Sequence, residues 1–191
     1  MGRRPPHPPG RQHGSGPDRR RPLTSAARRR AVGSTHPGNP RVDVVTFDEV
    51  EYQRWLQTAG DHLRVARHDA EGRFHSAAVL QAEQATQCAL KALLHGVGHK
   101  RAARGHGLLS LAEACEGSAG LVLNGDDGQA LARLARDYQP TRYPDALPEG
   151  TPMGHYGEQD AEWALEIASR IVEAVEATWD RLMQETGGGR A

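Results

Sequence analysis

The sequence predicts an all-α protein, an up-and-down bundle of about five helices behind a disordered basic N-terminal tail. From Phe47 onward, apolar residues recur at three- and four-residue spacing, which is the period of helices with one buried face. No segment alternates apolar and polar residues as a strand does, and aromatic residues, which strands favour, make up only 5% of the chain. Helices joined by short connections pack as a bundle.

Glycines, prolines and capping residues divide the chain after Phe47 into helices. The predicted helices span roughly 47–70, 74–95, 108–116, 126–138 and 158–186. Gly72 is predicted to end the first helix, and Asp126 is predicted to cap the fourth. The four prolines between residues 139 and 157 are expected to exclude regular structure from that connection.

The second helix carries a face built from small residues. Its alanines recur at three- and four-residue spacing and are Ala78, Ala82, Ala85, Ala89 and Ala92. A face of alanines favours helix formation and suits close approach by a neighbouring helix. Gln84 and Lys91 interrupt this run with groups that need partners. They are either solvated residues of a core helix or members of a functional site.

The first 42 residues hold ten arginines and one acidic residue, so their formal charge is +9 against −9 for the remainder. They show no hydrophobic period and cannot form a core. The predicted organisation is a disordered Arg/Pro/Gly-rich tail over 1–44, a helical bundle over 45–187 and a flexible C-terminus over 188–191. Three interpretations of the tail stay open: it binds nucleic acid, it folds against the acidic domain or a partner, or it is a start-site artefact.

Nothing in the sequence predicts secretion or a membrane anchor. Arg3-Arg4 is followed by prolines rather than an apolar segment, and no apolar run approaches the ~20 residues that span a bilayer. Without a secretory signal, Cys88 and Cys115 are expected to be reduced thiols. We therefore expect a cytoplasmic protein that does not contact a membrane.

No metal or cofactor is predicted. Cys88, His95 and His99 have spacings found in metal sites, but Gly96 and Gly98 break the helix between the two histidines. No second Cys/His pair stands at ligand spacing, and no glycine-lysine-serine phosphate loop occurs.

Four groups of residues resemble the pattern of one family. They are Trp55-Leu56 with Ala59, Leu63 and Ala66; Phe74 and Ala77 with the run Gln84–Leu94; His106 with Leu108 or Leu109 and Leu111; and Arg142-Tyr143-Pro144-Asp145 with Tyr156, Ala161, Ala164 and Ala168. In this order they cover residues 47–180, and the chain resembles the HEPN domain (higher eukaryotes and prokaryotes nucleotide-binding), particularly its sacsin-like prokaryotic branch. The chain departs from that pattern at Glu83, where relatives usually have Gln, and at Gln87 and Cys88, where they have an acidic and then a basic residue.

The resemblance implies a nucleotide- or RNA-associated binding module, non-catalytic and homodimeric, that accompanies a minimal nucleotidyltransferase. In this hypothesis a phosphate-binding patch is formed by Lys91, Lys100, Arg104 and Arg142. The alternative is that these cations are scattered surface charges. The sequence leaves the ligand, the partner and the pathway open.

A second hypothesis makes the protein an enzyme. Many HEPN proteins are metal-independent ribonucleases with an arginine four to six residues before a histidine, and Arg101 and His106 meet that spacing. Arginine holds a phosphate bidentately and histidine transfers protons near neutral pH. The protein would then be the toxin of a toxin–antitoxin or defence pair. Otherwise His106 orients the third helix and Arg101 is a solvated loop charge.

Overall fold

The structure is a computed structural model, and it describes residues 47–187. Over these residues it contains six helices and no strand, so the predicted all-α class is confirmed. The helices are α1 (Glu49–Glu71), α2 (His75–Gly96), α3 (Leu108–Ala119), α4 (Asp127–Asp137), α5 (Pro152–His155) and α6 (Glu158–Gly187), with single 3₁₀ turns at Ala102–Arg104 and Pro144–Ala146. The predicted tail over 1–44 and the C-terminus over 188–191 lie outside the described residues.

Helices α1 and α2 form an antiparallel hairpin. The side chain of Asp48 caps α1 by accepting from the backbone N–H of Glu51 at 3.2 Å. The same residue closes the hairpin, because its backbone N–H donates to the carbonyl of Gly96 at the end of α2, at 2.8 Å. The left-handed backbone of the intervening turn falls on Arg73, with φ of 62°, and not on the predicted breaker Gly72. Gly72 is needed for space, since a Cβ there would lie 2.9 Å from the ring of Phe74.

Helix α2 lies at the centre of the bundle and packs against α1, α3, α4 and α6. Its predicted alanine face is fully buried, which brings the neighbouring helices close. The long helix α6 covers its C-terminal end, where Trp179 stacks on Tyr52 with 3.9 Å between ring centroids. A Cβ on Gly96 would lie 3.0 Å from Cη2 of Trp179, so the glycine permits this contact.

Three local expectations are wrong. The side chain of Asp126 makes no capping bond; Asp127 accepts from the backbone N–H of Asn124 at 2.8 Å instead. Helix α3 runs past the predicted end and stops only at Gly120, whose φ is 64°. Pro144 and Pro152 do not exclude helical turns but begin them, because proline fits the first turn of a helix, where its missing N–H has no partner to lose.

The described helices include none that is both long and apolar enough to cross a membrane.

Candidate functional site

Three polar residues share one buried stripe of α2. Glu83, Gln87 and Lys91 follow one another at four-residue spacing, so their side chains lie on the same face of the helix. Their exposed fractions are 2%, 5% and 5%, although all three are polar or charged. Buried polar groups are costly unless they are hydrogen-bonded, and these residues bond to one another. Together with His106 they are called the polar seam below.

Gln87 is the centre of the polar seam. Its amide nitrogen donates to Oε1 of Glu83 at 3.4 Å and to the backbone carbonyl of His106 at 3.2 Å. Its amide oxygen accepts from Nζ of Lys91 at 2.9 Å and lies 3.1 Å from Nδ1 of His106. The side chain therefore has a partner for every hydrogen bond it normally makes.

Lys91 is a buried cation without a carboxylate partner among the described residues. Its ammonium donates to the neutral Gln87 amide and lies 5.6 Å from the ring centroid of Trp55. Among residues 47–187 it forms no ion pair. Burial lowers the pKa of Lys91, and the negative charges of Cys88 and Glu83, where present, oppose that shift. The ring of Trp55 in turn stacks on His95, with centroids 5.1 Å apart.

Glu83 is the acidic member of the polar seam. Burial raises the pKa of Glu83, while hydrogen bonds from Gln84 and Gln87 and the charges of Arg142 and Lys91 oppose the shift. The Gln84 amide donates to Oε2 at 2.6 Å. The carboxyl group is thus held by amides on both oxygens, one helical turn away from Gln87 and two turns away from the ammonium.

His106 reaches the polar seam from the connection between α2 and α3. It lies between Gly105 and Gly107, just before α3, and is exposed, and both Nδ1 and its backbone carbonyl are hydrogen-bonded to Gln87. The buried methyl of Ala103 in the preceding 3₁₀ turn fixes this connection to the bundle. An exposed imidazole is therefore tied at one nitrogen to a buried amide.

The other predicted cations lie outside the polar seam. Lys100 is exposed and pairs with Asp48 at 2.9 Å. Arg142 is exposed, donates through Nε to the carbonyl of Tyr138 and places its guanidinium 3.9 Å from the centroid of that ring. Arg101 and Arg104 are exposed at the 3₁₀ turn, and neither forms an ion pair or a side-chain hydrogen bond within residues 47–187. The structure thus joins Lys91 to His106 through Gln87, and within residues 47–187 no hydrogen bond links the side chain of Arg101 to either.

Sequence reasoning missed two members of the polar seam. In the sequence, Glu83 and Gln87 stand out as departures from a family pattern and not as partners of Lys91. The four-residue spacing of the three residues was the signal that places them on one stripe. No cluster of three or more metal-ligating side chains occurs in the part of the chain that the structure describes.

The comparison with known families decides the family of this protein. The HEPN domain model matches residues 52–178. The chain belongs to the HEPN domain family. This family is associated with nucleotides and RNA, and the match confirms the resemblance that the sequence predicted.

Two solved structures support the same assignment. TT1696 from Thermus thermophilus is 33% identical, with a TM-score of 0.59, and the match covers 67% of this HEPN chain and 98% of that chain. ST0689, described as an archaeal HEPN homologue, is 29% identical with a TM-score of 0.52, and the match covers 66% of this chain and 95% of that one. No curated protein matches this chain.

Proposed function

We propose that this HEPN protein is a nucleotide- or RNA-associated binding module, and that the polar seam provides the positive charge that receives a phosphate group. One observation carries the proposal. The ammonium of Lys91 is buried against a neutral amide and an aromatic ring, with no carboxylate paired to it among the described residues. A desolvated cation in this position is stabilised by an incoming anion.

The other three predicted cations are expected to contribute unequally to phosphate binding. The charge of Arg142 acts on Glu83, where it opposes the rise of that pKa, and its guanidinium over the Tyr138 ring is suited to bidentate contact with a phosphate. Arg104 is exposed two residues before His106 in the sequence and adds positive charge to the same connection. Lys100 contributes least, because its charge is already offset by Asp48.

Calorimetric titration of the full chain with ATP, with GTP and with a short single-stranded RNA tests this function. We expect saturable heat with at least one of the three, and binding that weakens as salt is raised, because phosphate contacts release counterions. Absence of heat at millimolar nucleotide and absence of binding to the RNA would contradict the proposal.

We further propose that the module acts as a homodimer with a minimal nucleotidyltransferase. The support is the family resemblance of residues 47–180. Purification of the native protein together with whatever is bound to it, followed by mass spectrometry, tests whether the partner is a nucleotidyltransferase. Sedimentation of the pure chain tests the dimer. A monomer with no nucleotidyltransferase in the native complex would contradict this part.

A second candidate function is a metal-independent ribonuclease that uses Arg101 and His106. The observation in its favour is that, of the two ring nitrogens of His106, only Nδ1 is hydrogen-bonded within residues 47–187, so Nε2 is available for proton transfer at an exposed position. Single substitutions Arg101→Ala and His106→Ala are then expected to abolish cleavage of a labelled RNA. Cleavage that survives both substitutions would exclude this function.

A further inference from the structure

The orientation of the Gln87 amide follows from its partners. The backbone carbonyl of His106 is an acceptor only, so the atom of Gln87 that lies 3.2 Å from it must be the NH₂ group. The ammonium of Lys91 is a donor only, so the atom 2.9 Å from it must be the amide oxygen. If the amide were flipped, its NH₂ group would face the ammonium of Lys91, donor against donor, and its oxygen would face the carbonyl of His106, acceptor against acceptor. These two contacts fix the orientation of the Gln87 amide, whether Glu83 is protonated or not.

The orientation of the Gln87 amide determines which ring nitrogen of His106 carries the proton. Nδ1 of His106 lies 3.1 Å from the amide oxygen, which only accepts hydrogen bonds. Nδ1 must therefore carry a proton, and in the neutral imidazole Nε2 is then the unprotonated nitrogen. Within residues 47–187, Nε2 has no hydrogen-bond partner, and the residue is exposed.

We infer that Gln87 is a positioning residue that holds His106 as its Nδ1–H tautomer, so that Nε2 becomes an acceptor for a hydroxyl or N–H group of a bound nucleotide. The ammonium of Lys91 and Nδ1 of His106 contact the same amide oxygen, so a cationic donor and the imidazole ring lie on either side of one atom. A nucleotide carries the matching pair, a phosphate oxygen close to sugar hydroxyls. The tautomer does not depend on the proposed function. The contact of Nε2 with a bound nucleotide, called the ligand step below, rests on the proposed function.

The tautomer is measured by long-range proton–nitrogen correlation spectra of the ¹⁵N-labelled full chain, at alkaline pH where imidazoles are neutral. The resonances of His106 are assigned with His106→Asn. We expect an unprotonated Nε2 and a protonated Nδ1. A wild-type spectrum with the proton on Nε2 would overturn the inference without any further variant.

Two substitutions separate positioning from packing. Gln87→Met keeps the length of the side chain but offers Nδ1 no strong acceptor, so we expect His106 to change from one tautomer to a mixture. Gln87→Glu keeps an acceptor and is expected to retain the Nδ1–H form. Gln84→Met is the matched control, because that amide bonds Glu83 and not His106. An unchanged tautomer in a folded Gln87→Met protein would contradict the role of Gln87.

The ligand step is tested by adding ATP to the labelled protein. We expect the Nε2 resonance to move on saturation while the Nδ1 proton is retained. If calorimetry shows that ATP binds but Nε2 does not move, the ligand step fails and the binding function stands. If no heat is seen with ATP, GTP or RNA, the proposed function and the ligand step fail together, and the tautomer is judged from the spectra without ligand.

Discussion

Nζ of Lys91 donates a hydrogen bond of 2.9 Å to Oε1 of Gln87, so the ammonium buried by α2 meets a neutral amide rather than a carboxylate. The acidic member of the polar seam, Glu83, is one turn beyond Gln87 along the helix and bonds the other end of the same amide. Gln87 therefore stands between the two opposite charges. Within the part of the chain that the structure describes, this arrangement leaves the positive charge uncompensated by an ion pair, which is the basis of the proposed phosphate binding.

Replacing Glu83 by Gln is expected to stabilise the protein at neutral pH. Burial raises the pKa of Glu83 in the folded protein above the ordinary carboxyl value of 4.5. The contribution of Glu83 to the free energy of unfolding is therefore fully present below pH 4.5 and is lost as pH rises through the pKa of the folded protein. Urea unfolding across this range should show a gain for Glu83→Gln that grows above pH 4.5 and vanishes below it. Glu173→Gln, on the exposed side of α6, is the control and should show no such gain. A variant less stable than wild type at pH 7 would contradict the prediction.

Substitution of Gly96 by Ala is expected to destabilise the bundle. The new Cβ would overlap the Trp179 ring, and overpacking of this kind costs about 1–3 kcal/mol. Gly60→Ala is the matched control, because that glycine also lies in a helix but a Cβ there meets no atom within 4 Å. We expect the control to gain roughly 0.5–1 kcal/mol from helix propensity. Equal urea midpoints for the two variants would show that α6 does not pack on Gly96 as described.

Both cysteines are expected to resist thiol reagents in the folded protein. Burial raises the pKa of Cys115 to about 12, and its thiol also donates to the carbonyl of Leu90 at 3.3 Å. Burial likewise raises the pKa of Cys88. Alkylation with iodoacetamide at about pH 8, near the ordinary thiol pKa, followed by mass spectrometry, should label neither residue in native buffer and both in concentrated urea. Rapid labelling of Cys115 without denaturant would contradict its position in the core.

The sequence was sufficient for the main helices because their apolar periods are long and regular. The alanine face of α2 predicted its own burial, and the stripe of α6 predicted a helix within a residue of its observed bounds. The errors fall where two local choices compete. Asp126 and Asp127 are both capable caps, and Asp127 is the one buried, in contact with Arg170 of α6 at 2.6 Å. A contact between elements so distant in sequence leaves no local signal.

The candidate site was only partly accessible from the sequence. Lys91 stood out as a charge in an apolar run, and His106 as part of a spacing motif. Their connection through Gln87 depends on how the loop after α2 folds back on the helix, and local patterns do not encode that path. The same loop leaves Arg101 exposed in the 3₁₀ turn region, and within residues 47–187 no hydrogen bond joins its side chain to His106.

Phosphate binding by Lys91 is tested by comparing Lys91→Met with the wild-type chain in calorimetric titrations with ATP and GTP. Methionine fills a similar volume without the charge, so the bundle should fold while the affinity falls at least about tenfold, a loss of about 1.4 kcal/mol. The control is Arg64→Met, which removes an exposed cation of α1 that pairs with Asp61 at 2.8 Å. We expect wild-type affinity for the control and a loss confined to Lys91→Met. Equal affinities for the wild type and a folded Lys91→Met protein would contradict phosphate binding by Lys91.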